Sequence, residues 1–232
     1  MIHATQFETP VQIGETLAGA LFDPCVAISV TDPRAPHHRV LEQESAALQR
    51  AVPARQRAFA AGRSAARRAM AKLNKPISPV LMGTDRAPIW PPGLVGSLSH
   101  SQTCCIAALA RAQDCTSLGV DVEERTGLDP DLFDIVCTAA ERKWLAQFPA
   151  NESTLHAKLI FSAKETAFKA QYPLSKCLLG FDRFEIALDL GKNRFSARFT
   201  QDTGPFARNS SLVGGFASER GLIVTALTVF PR

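Results

Sequence analysis

Apolar and polar positions change their period several times along the chain, and each change marks an element. Residues 25–30 (C-V-A-I-S-V) form a short apolar run that predicts a buried strand. From 37 to 73 the spacing turns helical and alanine-rich, with Pro53 at the first turn of a second helix. Residues 75–96 are dense in proline and glycine and predict a loop-rich connection. The segment S-L-S-H-S (97–101) then leads into C-C-I-A-A-L-A (104–110), a strand too apolar for a sheet edge. Another short strand is predicted over 118–122. Helices are predicted over 129–148 and 153–171, the second capped by Ser153 or Asn151. The last third returns to alternation: 181–190, 194–200, 212–217 and 222–230 predict antiparallel strands joined by glycine and asparagine turns. Each half holds strands and long helices, with a seam near 111–118 that divides the chain into 1–115 and 116–232.

A chain of 232 residues is long enough for one large domain or two small ones. Its 46% hydrophobic and 21% charged residues fit an ordinary soluble globular protein. The net charge of +4 favours acidic partners only mildly. Placement says more: Arg50, Arg55, Arg57, Arg63, Arg67 and Arg68 fall within nineteen residues. Six cysteines show no C-x-x-C pair and no metal-finger spacing, and Cys104 and Cys105 read as small core residues. The first arginine is Arg34, and Glu15 and Asp23 interrupt the N-terminal apolar stretches, so no secretory signal is expected. The longest apolar run, 104–110, is too short to span a bilayer, and a reducing cytoplasm is the simplest compartment.

The candidate chemistry is acidic. In G-V-D-V-E-E (119–124), Asp121 and Glu123 are two apart on a strand and point to one side. In F-S-A-K-E-T-A-F-K (161–169), Glu165 sits on a helix four residues before Lys169 and shares its face. Converging carboxylates repel one another unless a positive group lies between them. A hard divalent cation suits such oxygen ligands, and Mg2+ also takes substrate phosphates. A lone D-x-E is more often a solvated strand edge, and Glu165–Lys169 alone reads as an ion pair worth roughly 0.3–0.5 kcal/mol. Glu124 points away and reads as a surface acid.

Four segments in order are similar to the 4'-phosphopantetheinyl transferases of the Sfp type, most closely the EntD branch of enterobactin-like siderophore synthesis. G-V-D-V-E resembles the family's G-[IV]-D-[IV]-E metal strand, and F-S-A-K-E-T-A-F-K its [WF]-S-x-K-E-x-x-x-K helix. W-P-P-G-L-V-G-S-L-S-H-S (90–101) resembles W-P-x-G-x-x-G-S-[IL]-[ST]-H, and R-Q-R-A-F-A-A-G-R (55–63) resembles R-x-x-E-F-x-A-G-R, with Ala58 in place of the acid. The likeness covers roughly residues 50–190. It implies two similar α+β halves related by a pseudo-twofold axis, with coenzyme A between them. It also implies the reaction: the phosphopantetheine arm moves to a serine of an apo carrier protein, releasing 3',5'-ADP.

The resemblance assigns roles. Asp121, Glu123 and Glu165 hold Mg2+, with Mn2+ as the other candidate, and Glu165 also accepts the serine proton. Lys169 steadies the phosphate or protonates the departing ADP, and Lys164 is directed at a phosphate. Ser99 and His100 lie in a strand-end loop, with His100 toward the phosphates of coenzyme A. Adjacent strand residues point apart, which argues against a Ser–His relay. Arg55 and Arg63, eight apart on one helical face, form a guanidinium clamp for the 3'-phosphate, with Arg86 as a third member. Arg67 and Arg68 read as solvated, and Trp90, Phe161 and Phe168 as core or cleft wall. Since two halves already form the cleft, a monomer is implied. Two rivals remain at this point. One is a nucleic-acid-binding module on the arginine-rich helix, where only Phe59 interleaves the basic residues. The other is an Mg2+-dependent phosphohydrolase, which shares the carboxylates but not the S-H and A-G-R elements.

Overall fold

The computed structural model describes residues 8–48 and 51–231; Arg50 lies outside them. The first element is a helix, α1 (Pro10–Leu21), in which Thr9 and Gln12 cap one another reciprocally and Pro10 takes the first turn. A three-stranded antiparallel sheet follows from β1 (Ala27–Thr31), β4 (Leu94–His100) and β5 (Cys105–Arg111), in the order β1-β5-β4. Strand β5 shows no alternation because both its faces are covered. Ala107 and Leu109 pack on the alanine face of α2 (Pro53–Lys72), while Ile106, Ala108 and Ala110 enter a core with Ile13 and Leu17 of α1. Burying a side chain such as Leu17 contributes about 1.5–3 kcal/mol.

The second sheet is antiparallel in the order β6-β10-β9-β8-β7. Its strands are β6 (Ser117–Glu124), β7 (Phe184–Asp189), β8 (Arg194–Phe199), β9 (Ser211–Glu219) and β10 (Leu222–Val229). The long helix α5 (Ala150–Ser175) lies across β6 and β10, as α2 lies across β5 and β1. Gly119 permits that approach, since a Cβ there would stand 2.1 Å from the Thr166 carbonyl oxygen. The α+β fold in two halves is thus one long helix laid on each antiparallel sheet. Val120 and Val122 of β6 and Leu222 and Val224 of β10 share the core occupied by α1. Between the sheets the backbone ladder gives way to serine: Val120 N–H donates to Ser97 Oγ at 3.0 Å and Val122 N–H to Ser99 Oγ at 3.3 Å.

Several expectations are corrected. Residues 97–101 are not a loop leading to a strand, because Ser99 and His100 are themselves in β4, paired with Ile106 and Cys105. The loop-rich connection 75–96 contains a small ladder, β2 (Leu81–Met82) with β3 (Pro88–Ile89). The first part of 37–73 is a 3-10 turn, Glu42–Leu48, while Pro53 does open α2. The helix expected over 129–148 is broken into a 3-10 turn, α3 (Phe133–Val136) and α4 (Ala139–Leu145). Cys137 is extended, and the Thr138–Glu141 capping box restarts the helix after it. Helix α5 begins behind Pro149 with no side-chain cap, so Asn151 and Ser153 lie inside it.

Candidate active site

A cleft of about 840 Å³ separates the two halves, within the range of about 300–1,000 Å³ typical of small-molecule sites. One wall comes from α2, the β2–β3 hairpin and β4, the other from β6 and α5. Asp121, Glu123, Glu165 and Lys169 line it from the second half, and Arg55, Arg63, Arg86, Ser99 and His100 from the first, with Ser99 reaching Asp121 where β4 runs beside β6. Trp90, Phe161 and Phe168 form part of the wall.

Asp121 is buried and fully engaged. Its Oδ1 accepts from Ser99 Oγ at 2.7 Å and from Lys169 Nζ at 2.7 Å, and its Oδ2 accepts from Ser162 Oγ at 2.8 Å. Lys169 also donates to Ser99 Oγ and the Val120 carbonyl, so its ion pair is with Asp121. Glu123 accepts from Lys158 Nζ at 3.2 Å. Burial pushes the Glu123 carboxyl up, Asp121 adds to this, and Lys158 opposes it. The Glu165 carboxyl is also raised, by burial first, with Lys169 opposing and Asp121 adding. No hydrogen bond reaches the Glu165 carboxylate among the described residues. The three acids therefore face one cleft, and Asp121 raises the proton affinity of both glutamates. Among the described residues no three acidic, histidine or cysteine side chains close into a ready ligand set. Oxygen donors that burial, and secondarily Asp121, hold at raised proton affinity are nevertheless chemically suited to a hard divalent cation, which offsets their charge.

Across the cleft, Arg63 is buried, donating Nε–H to the Val80 carbonyl at 2.7 Å, with its Cζ 4.1 Å from the Phe59 ring centroid. Burial lowers its pKa to about 10, so the guanidinium stays charged at neutral pH. Arg55 faces the same space, as the eight-residue spacing requires, and is exposed. Desolvation at the cleft, then the charges of Arg55 and Lys169, lower the His100 pKa. Ser99 spends its hydroxyl on Asp121, not on His100. Arg86 sits in the hairpin turn with φ +66°, a left-handed conformation unusual for a long side chain.

Three assignments change. Lys164 is not among the residues that line the cleft: it is buried and donates to Glu141 Oε2 at 2.7 Å and to the Val136 and Phe181 carbonyls, which engage its ammonium in place of a phosphate. Arg67 is not a solvated helix residue, because its Nη1 donates to both oxygens of the buried Glu44. Glu124 is half-buried, with Oε1 accepting from Ser101 Oγ, Thr103 N–H and Thr103 Oγ1, so it holds the β4–β5 turn. Ser162 and Lys158, which touch the acidic cluster directly, carry no signal in the acid spacing. Ser162 does lie inside the F-S-A-K-E segment, and Lys158 is one helical turn before it.

Two family descriptions match the chain: the 4'-phosphopantetheinyl transferase N-terminal domain over residues 43–110 and the 4'-phosphopantetheinyl transferase superfamily over residues 117–224. The 4'-phosphopantetheinyl transferase Svp of Streptomyces mobaraensis is 41% identical over 85% of this chain and 81% of its own length. The chain belongs to the 4'-phosphopantetheinyl transferase family. PptT of Mycobacterium tuberculosis is 32% identical over 82% of this chain and 86% of that protein. Enterobactin synthase component D of Escherichia coli K12 is 35% identical over 68% of this chain and 71% of that protein. Kinship of the transferase thus includes the EntD branch and extends beyond it. Membership decides for transfer to a carrier protein over the nucleic-acid and phosphohydrolase readings. The geometry also weighs against the first rival: Phe59, the aromatic among the arginines, is buried, with the Arg63 guanidinium over its ring.

Proposed function

We propose that the transferase moves the phosphopantetheine arm of coenzyme A onto a serine of apo carrier proteins of nonribosomal peptide or siderophore assembly. Asp121, Glu123 and Glu165 hold Mg2+ or Mn2+, and the observation that carries this reading is their common aspect on one cleft opposite Arg55, Arg63 and Arg86. When bound, the cation neutralises charge on the diphosphate of coenzyme A. Residues 1–115 supply the phosphate clamp, and 116–232 supply the metal ligands and the reacting helix. Arg55, Arg63 and Arg86 bind phosphate through paired N–H donors. His100 faces the same phosphates. Lys169, held by Ser99 and Asp121, lies at the acidic wall, where it balances charge on the leaving phosphate. Glu165 is the proton acceptor: its raised proton affinity and lack of a donor suit it to take the serine proton. The serine oxygen–phosphorus bond forms as the phosphorus–oxygen bond to 3',5'-ADP breaks.

The enzyme acts as a monomer in the cytoplasm, a compartment that suits its six free cysteines. No helix among the described residues is long and apolar enough to cross a membrane. The positive net charge speeds encounter with acidic carriers. The test is incubation with fluorescent coenzyme A and a panel of apo carrier proteins. Label should reach the carrier with Mg2+ and fail to with EDTA; metal-independent labelling, or none on any carrier, overturns the proposal.

A further inference from the structure

The β2–β3 hairpin is too short to hold itself, with two residues per strand. Its base is fixed from within its own half: Val80 N–H donates to Glu44 Oε1 at 2.9 Å, and Arg63 Nε–H donates to the Val80 carbonyl. Its tip is fixed from the other half. The Tyr172 hydroxyl on α5 donates to Asp85 Oδ2 at 2.6 Å, and Asp85 Oδ1 accepts from Ala87 N–H at 3.0 Å. One carboxylate therefore closes the turn around Arg86 and ties that turn across the mouth of the cleft. Both residues line the cleft, and Tyr172 is the chain's single tyrosine.

We infer that Tyr172 and Asp85 form a latch between the halves that orders the turn carrying Arg86, making Tyr172 a positioning residue for coenzyme A recognition. An arginine at φ +66° persists only where its surroundings hold it there. The turn supplies part of that hold: Arg86 N–H donates to the Gly83 carbonyl at 2.9 Å, and Gly83 N–H to the Ala87 carbonyl at 2.8 Å. The rest comes from α5 through Tyr172. Losing the hydroxyl frees the tip while the base stays anchored at Val80. Arg86 then samples other conformations and meets the phosphate less often, which weakens binding without changing the reacting groups. The Lys176 ammonium, 5.4 Å from the Tyr172 ring centroid, lies beside the latch and lowers the Asp85 pKa further, after the Tyr172 and Ala87 hydrogen bonds.

The inference rests on the reading of Arg86 as a phosphate-binding group, and two readouts keep them separable. The first is hydrogen–deuterium exchange of residues 83–87 in the free protein, wild type against Tyr172→Phe. Exchange there should rise about fivefold, the size expected for one solvent-exposed hydrogen bond. Unchanged exchange overturns the latch whatever the enzyme does. The second is steady-state kinetics of Tyr172→Phe, Arg86→Ala and the double variant. Tyr172→Phe should raise the coenzyme A KM about fivefold with kcat within about twofold, and should add nothing in the Arg86→Ala background. A full further rise there shows that Tyr172 acts independently of Arg86 and overturns the positioning role. Faster exchange beside an Arg86→Ala variant of wild-type KM leaves the latch standing and overturns the assignment of Arg86 to phosphate.

Discussion

The ammonium of Lys169 lies 2.7 Å from Asp121 Oδ1, while the carboxylate of Glu165, four residues back on the same helix, receives no hydrogen bond among the described residues. The lysine thus balances the buried acid on β6 and leaves the helical glutamate free toward the cleft.

Removing that lysine strands a charge. Lys169→Met leaves Asp121 buried with only Ser99 and Ser162 as donors. The expected cost is about 2–3 kcal/mol, at or below the low end for breaking buried pairs because Lys169 is partly solvated. Urea unfolding at neutral pH reads it, and Asp121→Asn in the same background should recover much of the loss.

Lys164 makes the opposite prediction. Its pair with Glu141 is 1% exposed on both sides, so Lys164→Met should cost about 3–5 kcal/mol and lower the thermal midpoint markedly. The folded fraction should keep the wild-type coenzyme A KM, because no part of Lys164 lines the main cleft. A raised KM with unchanged stability would return Lys164 to phosphate binding.

These two lysines show what the chain reveals on its face. The D-x-E alternation puts Asp121 and Glu123 on one side of β6, and the i,i+4 spacing puts Glu165 and Lys169 on one face of α5; all four line the cleft. Lys164 falls on the stripe with Ile160, Ala167 and Gln171 that packs into the core, which the helical period also shows. Its partner does not follow from the period: Glu141 lies on another helix and also accepts from Thr138 N–H and Ile186 N–H. Arg67 and Glu44 repeat the lesson, since a buried pair is set by packing between distant segments. Helix α1 carried a readable sign in T-P-V-Q, a capping box that apolar spacing does not use. The restart of the helix at α4 also had a local sign, the T-A-A-E capping box at 138–141, whereas the Tyr172–Asp85 contact depends on tertiary packing and has none.

Gly119 is predicted to be irreplaceable for activity. In Gly119→Ala the new methyl meets the Thr166 carbonyl and must lift α5 from β6. The cost to stability is about 1–3 kcal/mol. Because Glu165 and Lys169 flank Thr166, transfer should fall at least about tenfold even in the folded protein, since small displacements of reacting groups are expensive. Transfer kinetics alongside circular dichroism separate the two effects.

The raised carboxyls give a pH signature. Glu123 and Glu165 bind protons more tightly folded than unfolded, so their contribution to stability is full below the ordinary value of 4.5 and is lost as pH rises through their raised values. Without divalent cation, the melting temperature should therefore decline across that interval relative to a Glu123→Gln, Glu165→Gln variant. Saturating Mg2+ should remove the decline, because a ligated carboxylate is deprotonated and cation affinity grows with pH. Thermal melts from about pH 4 to 8, in Mg2+ and in EDTA, check the sign.

The most direct measurement is the Mg2+ dependence of carrier labelling by wild type and by Glu165→Gln, which keeps shape and removes charge. Loss of one ligand should raise the half-saturating Mg2+ concentration at least about tenfold and lower the maximal rate about 10²–10³-fold. Equal half-saturation and an equal maximal rate in the two proteins would contradict a cation shared between β6 and α5.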